Sequence, residues 1–506
     1  MSGIGLTGSL LMGARSLNTQ RVGIEVAGNN LANINTPNSA RQRVDIQQDV
    51  SLTVAGQWQQ GMGSFANNIE SLRSQLLDKQ IVRQQSLSGF YETKQNLANL
   101  VEDMLGENFT TSEASQIGGP NSLTGVQNSL NSLFDSFQSL SNDPTSIVAR
   151  NEVLSRADNV LKDIAAIYNR VLDTRDGIFE EASSTTSELN SLSTQIALVN
   201  GEIARAEVVT GKTANDLRDR RQELIEQMAK IANIQVTENL GNPPGMVDIA
   251  LKDNSSITLV KGVYGGGNGT AADVTYALSV DQSFDRTTNN LLQIRATPNA
   301  GATVLLTANN PSPNQPSEGE LGAQLDVANR IIGSGTAAGD NTLMERLNQF
   351  ATNLRLKVNA AHSVGFDLDN ATGVNFFSTT GDPEALGLQV AITDPRDIAA
   401  AASVNSPLDN AQATALANLR YDENLSQAHR DLVGGVGIEI SKARRDNEAQ
   451  QLIQKQIFQE REGVSGISTD EEMTNLTRFQ RAYEASAKFI NVIDEMMLTV
   501  IGLGAR

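Results

Sequence analysis

The chain has 506 residues, too many for one hydrophobic core, so about two to four domains are expected. It has no cysteine, two histidines and a formal charge of -19, which excludes disulfides and thiolate metal sites and leaves little for a Ser–His–Asp enzyme or a histidine-rich zinc site. The acidity disfavours nucleic acid and anionic membranes as partners, and no apolar run approaches the roughly 20 residues of a membrane span.

The first predicted element is an N-terminal helix. Leu10, Leu17, Ile24 and Leu31 recur every seven residues, with Leu6, Ala27 and Ile34 interleaved. This is a heptad seam. Gly3, Gly5, Gly8, Gly13, Gly23 and Gly28 each cost about 1 kcal/mol relative to Ala inside a helix, so the segment depends on contacts from elsewhere. The run NNLANINTP, Asn29 to Pro37, ends it, because Asn tolerates left-handed geometry and Pro biases the residue before it out of the helix. Gln42 to Asp49 alternates, with Val44 and Ile46 on one face, as a short strand or extended arm. The N-terminus lacks a basic region followed by a compact apolar core, so no cleaved signal peptide is expected.

Met62 to Leu105 reads as a helix, with Ile69, Leu72, Leu76, Leu97, Val101 and Met104 as its apolar face and Gly106 as its stop. A polar break follows from Thr110 to Asn121. Leu130, Leu133, Phe134 and Phe137 mark a short helix. From Thr145 to Ile178 the three-and-four spacing runs through Val153, Ala157, Val160, Ile164, Ile167 and Val171, and Leu189, Leu192, Ile196 and Val199 extend it. Asp216 to Ile231 adds a helix with Leu217, Leu224, Met228 and Ile231 inward. Long helices in succession argue for a bundle.

At Asn233 the period changes to that of strands. Ile234 and Val236, then Val247, Ile249 and Leu251, then Ile257 and Leu259, Leu292 and Ile294, and Val304 and Leu306 alternate. Asn242 to Gly245, Gly265 to Gly269 and Pro298-Asn299 supply turns, and a Pro-rich linker follows from Ala308 to Glu320. Thr342 to His362 returns to helix, with Leu343, Leu347, Phe350, Leu354 and Val358 as its stripe. Between Asn233 and Leu419 acidic residues outnumber basic ones two to one, which suits a solvated outer lobe. Asn424 to Glu460 is a long helix with Leu425, Leu432, Ile440, Ile453 and Ile457 inward.

Chemistry-bearing motifs are incomplete. Thr210-Gly211-Lys212-Thr213 resembles the end of a phosphate loop, but Ala206 stands where a glycine is needed and a helix precedes it. The glycines at 265–269 have no following helix to present amides to a phosphate. Asp367-Leu368-Asp369-Asn370 hints at a calcium loop, yet Thr372 and Ser378 occupy the required Gly and Glu positions. His362 reads as a surface or capping residue, and His429 as a helix residue with no imidazole or thiol partner nearby. No catalytic, cofactor-binding or metal residue is assigned, and the chain is not expected to be an enzyme.

The last element, Ser468 to Leu503, answers the first. Ser468 and Glu471 form a capping-box signature. Leu476, Tyr483, Ile490 and Met497 recur every seven residues, with Phe479, Ile493 and Val500 interleaved. A seam at each terminus predicts that the two ends pair and that everything between is carried as an insertion.

NNLANINTP followed by Arg41-Gln42-Arg43-Val44, together with DEEMTNLTRFQRAYEASAKFI from Asp470 to Ile490, resembles the bacterial flagellar axial proteins of rod, hook and hook-associated type. Ala214 to Val236, His362 to Phe377 and Asp394 to Ala401 are similar to the hook-associated protein 1 family within that group. Where that signature usually continues Gly-Tyr after the proline, this chain has Asn38-Ser39.

The resemblance implies a mainly α, elongated multi-domain rod. Its terminal helices would pair as a coiled coil over residues 1–58 and 467–506. A long-helix bundle would comprise 59–232 and 410–466, and an inserted outer β-rich domain 233–409. It implies a structural junction between hook and filament, needed for filament assembly and located outside the cell. The expected partners are hook protein, hook-associated protein 3, further copies of the chain in a ring, and a secretion chaperone on the C-terminal helix, with no cofactor, nucleic acid or membrane. The expected interface residues are Leu10, Leu17, Ile24, Asn29, Asn30, Leu31, Asn33, Asn35, Thr36 and Pro37, with Leu476, Phe479, Tyr483, Ile490, Ile493, Met497 and Val500. Other readings are a different axial subunit, a secreted coiled-coil adhesin, or an enzyme carried on the outer lobe.

Overall fold

The fold was obtained as a computed structural model, which describes residues 3–36, 38–49, 52–54, 58–61, 63–105, 123–239, 245–262, 274–280, 292–298, 304–305, 318–333, 341–381 and 383–504. Pro37, Gly106, Leu306, the Thr110–Asn121 break, Asn242 to Pro244, the glycines at 265–269 and most of the Pro-rich linker lie outside these residues.

The chain is mainly α. Helix α1 spans Gly3–Ala32; the short strands β1 (Gln42–Gln48), β2 (Leu52–Val54), β3 (Trp58–Gln60) and β4 (Ser64–Ser71) follow. Next come α2 (Gln75–Leu105), α3 (Leu123–Asn142), α4 (Ile147–Thr210) and α5 (Asn215–Ile231). The expected helix from Met62 is thus shorter. Ser64–Ser71 pairs antiparallel with β1, Val44 opposite Ile69, and Leu76 is exposed. Three apolar residues at helical spacing do not outweigh a strand partner far off in sequence, which periodicity does not reveal.

Helix α4 is unbroken over 64 residues. Ser146 Oγ caps its first turn from Ala149 N–H, and Gly211 ends it in the left-handed region at φ 63°, which rules out the phosphate-loop reading of this stretch. Its inward residues Val153, Val160, Ile164, Ile167 and Val171 meet Phe134 and Phe137 of α3 in one core. Val199 and Ile203, further along, meet Leu224, Ile225 and Met228 of α5 in a second.

The strand-rich region is modest. Strands β5 (Ile234–Glu238), β6 (Val247–Leu251) and β7 (Thr258–Val260) form one antiparallel sheet, and β8 (Tyr276–Val280), β9 (Ile294–Pro298) and β10 (Val304–Leu305) another. A bridge between Val260 and Val274 joins them. Strand β8 was not foreseen, since Tyr276, Leu278 and Val280 are too short a run to stand out.

Beyond it lie α6 (Gly319–Asp326), a π-helical turn (Val327–Ile332), α7 (Leu343–His362), β11 (Phe377–Thr379), α8 (Glu384–Gly387), β12 (Leu388–Val390) and α9 (Ala411–Ala417). This second half of the expected insert shares the bundle's core. Leu347, Phe350, Phe376, Phe377, Ile398 and Leu416 belong to the same buried cluster as α3 and α4. Helix α10 (Glu423–Ser465) adds Leu425, Leu432 and Ile440 to that cluster, and α11 (Thr469–Gly504) completes the chain. Ile453 is 47% exposed and Ile457 only half-buried, against the expectation that both point inward. The buried face there is taken by Asn447 and Gln450.

His362 also departs from expectation. It is 1% exposed; its Nδ1 bonds to Val374 O at 2.8 Å and its Nε2 accepts from Ala399 N–H at 2.9 Å. The second bond requires an unprotonated Nε2, so the neutral ring with its proton on Nδ1 fits, and burial holds the imidazole below its usual range. A few residues on, Asp367 Oδ1 accepts from the amides of Asp369 and Ala371 and so closes its own loop, while Asp369 pairs with Arg396.

A terminal helix pair and its polar anchor as the candidate interface

Helices α1 and α11 pack antiparallel. The matched positions advance by seven on both sides: Ser16 Oγ lies 3.1 Å from Ser486 Oγ, Gly23 faces Phe479, and Asn30 meets Glu472. Two glycines explain how close the helices come. A Cβ on Gly13 would lie 2.7 Å from Ile490 Cγ1, and one on Gly23 would lie 2.7 Å from Phe479 Cδ1. The propensity cost of these glycines is what lets two bulky residues of α11 seat against the α1 backbone.

The expected seam residues fall on and beside this contact. Leu10, Leu17, Ile24 and Leu31 are half-buried, and the last three each stand one position past the Ser16–Gly23–Asn30 line. Leu476, Phe479, Tyr483, Ile490 and Met497 are half-buried, Ile493 is buried, and Val500 is exposed near the end of α11. Asn35 and Thr36 are exposed, and Pro37 lies outside the described residues.

The asparagines after α1 have distinct tasks. Asn33 Nδ2 donates to the side chain and carbonyl of Asn29, and Thr36 Oγ1 donates to Asn33 Oδ1, so Asn29, Asn33 and Thr36 close the helix end locally. Asn30 instead reaches away from its helix. Its Nδ2 donates to Gln42 O at 2.8 Å and to Glu472 Oε2 at 3.1 Å, while its Oδ1 accepts from Gln42 N–H at 3.0 Å. One buried amide side chain thereby holds β1 and α11 to α1. Asn38 has φ 59°, the left-handed region that glycine fills most easily and Asn next best.

Residues outside the expected interface set complete the anchor. Arg41 Nε donates to Glu472 Oε1 at 2.8 Å, its Nη1 lies 2.5 Å from Glu471 Oε2, and its backbone N–H donates to Ser465 O. Glu471 therefore serves an ion pair. Ala40 N–H donates to Asp219 Oδ2, and Arg73 Nε lies 3.1 Å from Asp219 Oδ1 without the alignment of a hydrogen bond. Arg73 also donates to Asn38 O and lies near Asp78. Burial holds the Asp219 and Asp78 carboxyls above the usual carboxylate range, and the Arg73 charge offsets only part of that rise. A signal that could have found these residues is the charge density of Arg41, Arg43, Glu471 and Glu472 inside the two motifs; partners 431 residues apart cannot be paired from spacing.

This geometry suits mechanical coupling. A charge-assisted node joins α1, β1, α5, α2 and the α10–α11 junction. Among the described residues no cluster of three or more His, Asp or Glu side chains could hold a metal ion, and no helix is long and apolar enough to cross a membrane.

Comparison with known proteins agrees with this architecture. Residues 112–377, more than half of the chain, match the family described as flagellar hook-associated protein FlgK helical domain. Residues 460–503, which contain all but the last residue of α11, match the flagellar basal body rod FlgEFG protein C-terminal family. The flagellar hook-associated protein 1 of Bacillus subtilis (strain 168) is 28% identical, over 97% of this chain and 98% of its own. That of Salmonella typhimurium is 21% identical, over 96% and 98%. In fold, the chain is similar to the flagellar hook junction protein FlgK from Burkholderia pseudomallei, with TM-score 0.56 and 15% identity, covering 78% of this chain and all of that one. Paired terminal helices, a long helical bundle and a match spanning more than half the sequence place the chain in the FlgK family of flagellar hook-associated proteins, structural components of the bacterial flagellum.

Proposed function

We propose that copies of this chain form a closed ring at the junction between hook and filament, and that filament growth requires that ring. In this reading the α1–α11 pairs face the inside of the tube. The bundle, residues 59–232 and 410–466 together with the 343–419 elements that share its core, packs around them. The strands from Ile234 to Leu305 lie outward. Hook protein contacts one side of the ring and hook-associated protein 3 the other. A small chaperone holds α11 until type III export carries the chain out of the cell without a cleaved signal. The chain has no catalytic task; the ring of His362, its one deeply buried imidazole, already has backbone partners on both nitrogens.

One observation carries this reading. Along the last part of α11, Val492, Met496, Leu498, Ile501 and Leu503 are all exposed, beyond what α1 covers. Exposed aliphatic side chains on consecutive turns mark an interaction surface, and a ring of identical subunits covers each copy's surface with its neighbour's. The test is Val492→Asp with Met496→Asp in one chain. The variant is expected to be exported and to keep the circular dichroism of the parent, while hooks lack filaments and flagellin is shed into the medium. Normal swimming with this variant incorporated would refute the proposal.

A further inference from the structure

Helix α10 changes character at Ala443. Up to that point Leu425, Leu432, Val436, Ile440 and Ala443 are buried in the bundle core. From there to Ser465 the buried residues are Asn447, Gln450 and Ser465, while Leu452, Ile453 and Val464 face solvent. The hydrogen bonds from this stretch to α2 are made by polar side chains. Arg444 donates to Asn99 and Glu102, Asn447 to Gln95, and Gln454 to Gln85, and Gln454 in turn accepts from Ser88. Asn447 Oδ1 and Gln450 Nε2 are buried and make no hydrogen bond among the described residues.

We propose that residues 444–465 form a strap that opens from α2 as one unit while the rest of the bundle stays folded. An apolar helix face leaves its partner only by exposing hydrocarbon to water, whereas amide and hydroxyl side chains exchange one partner for water at little net cost. Two of the buried polar atoms regain hydrogen bonds when the strap opens. Ion pairs pin its ends: Arg444 to Glu102 above and Arg461 to Glu226 at 3.0 Å below, with both carboxylates buried. The strap runs through Gly466 into α11, and Ser465 O accepts from Arg41 N–H, so its opening loosens one of the ties between the terminal pair and the bundle and leaves those through Asp219 in place. The joint is compliant along 20-odd residues of continuous helix rather than at a loop.

Amide hydrogen exchange on the full-length chain tests this without reference to assembly. Residues 447–463 are expected to exchange at least about tenfold faster than residues 425–443, at one common rate along the strap. Gln450→Leu, or Asn447→Leu combined with Gln95→Leu, should slow the strap about tenfold and leave 425–443 unchanged. Gln450→Met is the milder alternative if either variant folds poorly. Equal protection of the two halves of α10 in the parent chain would overturn the proposal. So would a graded rise towards Ser465, which signals fraying from the terminal pair, or apolar variants that exchange no more slowly.

Discussion

The bundle and the terminal pair are both made of long helices, yet they bury them differently. Around α4, Phe134, Phe137, Phe350 and Phe376 are shut off from solvent by helices and short strands on several sides. Along α11, Ile493 is the one apolar residue that is fully buried among those described, and along α1 only Val26 and Ala27 are. A helix with neighbours on every side completes its own core; a helix with one neighbour covers one stripe and leaves the rest for other molecules. A heptad seam thus says that two helices meet, and the residues off the seam say whether the pair is finished.

The sharpest way to break this comparison is to damage each region and ask how far the damage spreads. Phe350→Ala should remove about 3–5 kcal/mol from the unfolding of the bundle, read by urea denaturation. Ile490→Asp, opposite Gly13, should leave that bundle transition within about 0.5 kcal/mol. If the two variants destabilise the bundle equally, the regions are one cooperative unit.

Asn30→Ala has a smaller and more local effect. It removes three hydrogen bonds of a buried amide and leaves Glu472 with one fewer donor, at a cost of about 1–3 kcal/mol. The loss should show as faster tryptic cleavage at Arg41 and Arg43 with the bundle transition unmoved. An unchanged cleavage rate would mean that Arg41 and Glu472 hold the anchor by themselves.

The smallest effect concerns pH and belongs to the bundle alone. The native imidazole of His362 is held below its ordinary value, so the unfolded chain binds its proton first on acidification. This contribution to stability is whole above about pH 6.5 and declines as pH falls below that, by at most about 1.4 kcal/mol per pH unit. Asp367 and Arg150 act on the ring with opposite signs, and burial outweighs both. Subtracting the stability curve of His362→Gln, whose amide can both donate to Val374 O and accept from Ala399 N–H, should isolate that slope. A difference curve flat between pH 7 and 5 would show that the ring charges freely in the folded state.

The helices were legible in the sequence because their spacing is local. The stripe from Val153 to Val199 and the one from Leu343 to Val358 translate directly into α4 and α7. What was hidden depends on partners distant in the chain. Ser64–Ser71 became a strand because β1 is beside it, and Ile453 turned outward where Gln450 and Gln454 of the same helix take the bonds to Gln84, Gln85 and Ser88 of α2. In the terminal pair, heptads were visible, whereas Gly13 and Gly23, which set the contact, looked like defects in a helix, and Ser16 between them was not singled out. Asn30 stood out as part of a motif, but its partners Gln42 and Glu472 emerge only when the two ends of the chain meet.

Helix α4 is about 96 Å of uninterrupted hydrogen-bonded rod, from the Arg150 end, where that guanidinium is bound by the carbonyls of Pro144 and Ile398, to Gly211 beside the anchor. No hinge divides that length, so α4 works as a ruler: it fixes how far the distal end stands from the terminal pair. A deletion of seven residues, close to two turns, would shorten the subunit by about 10 Å and rotate one end against the other by only about 20°. A deletion of two would rotate the ends by about 160° and present the buried stripe to solvent. Changes in the reach of such a subunit are therefore tolerable only in steps of whole turns, which makes its length a quantised quantity.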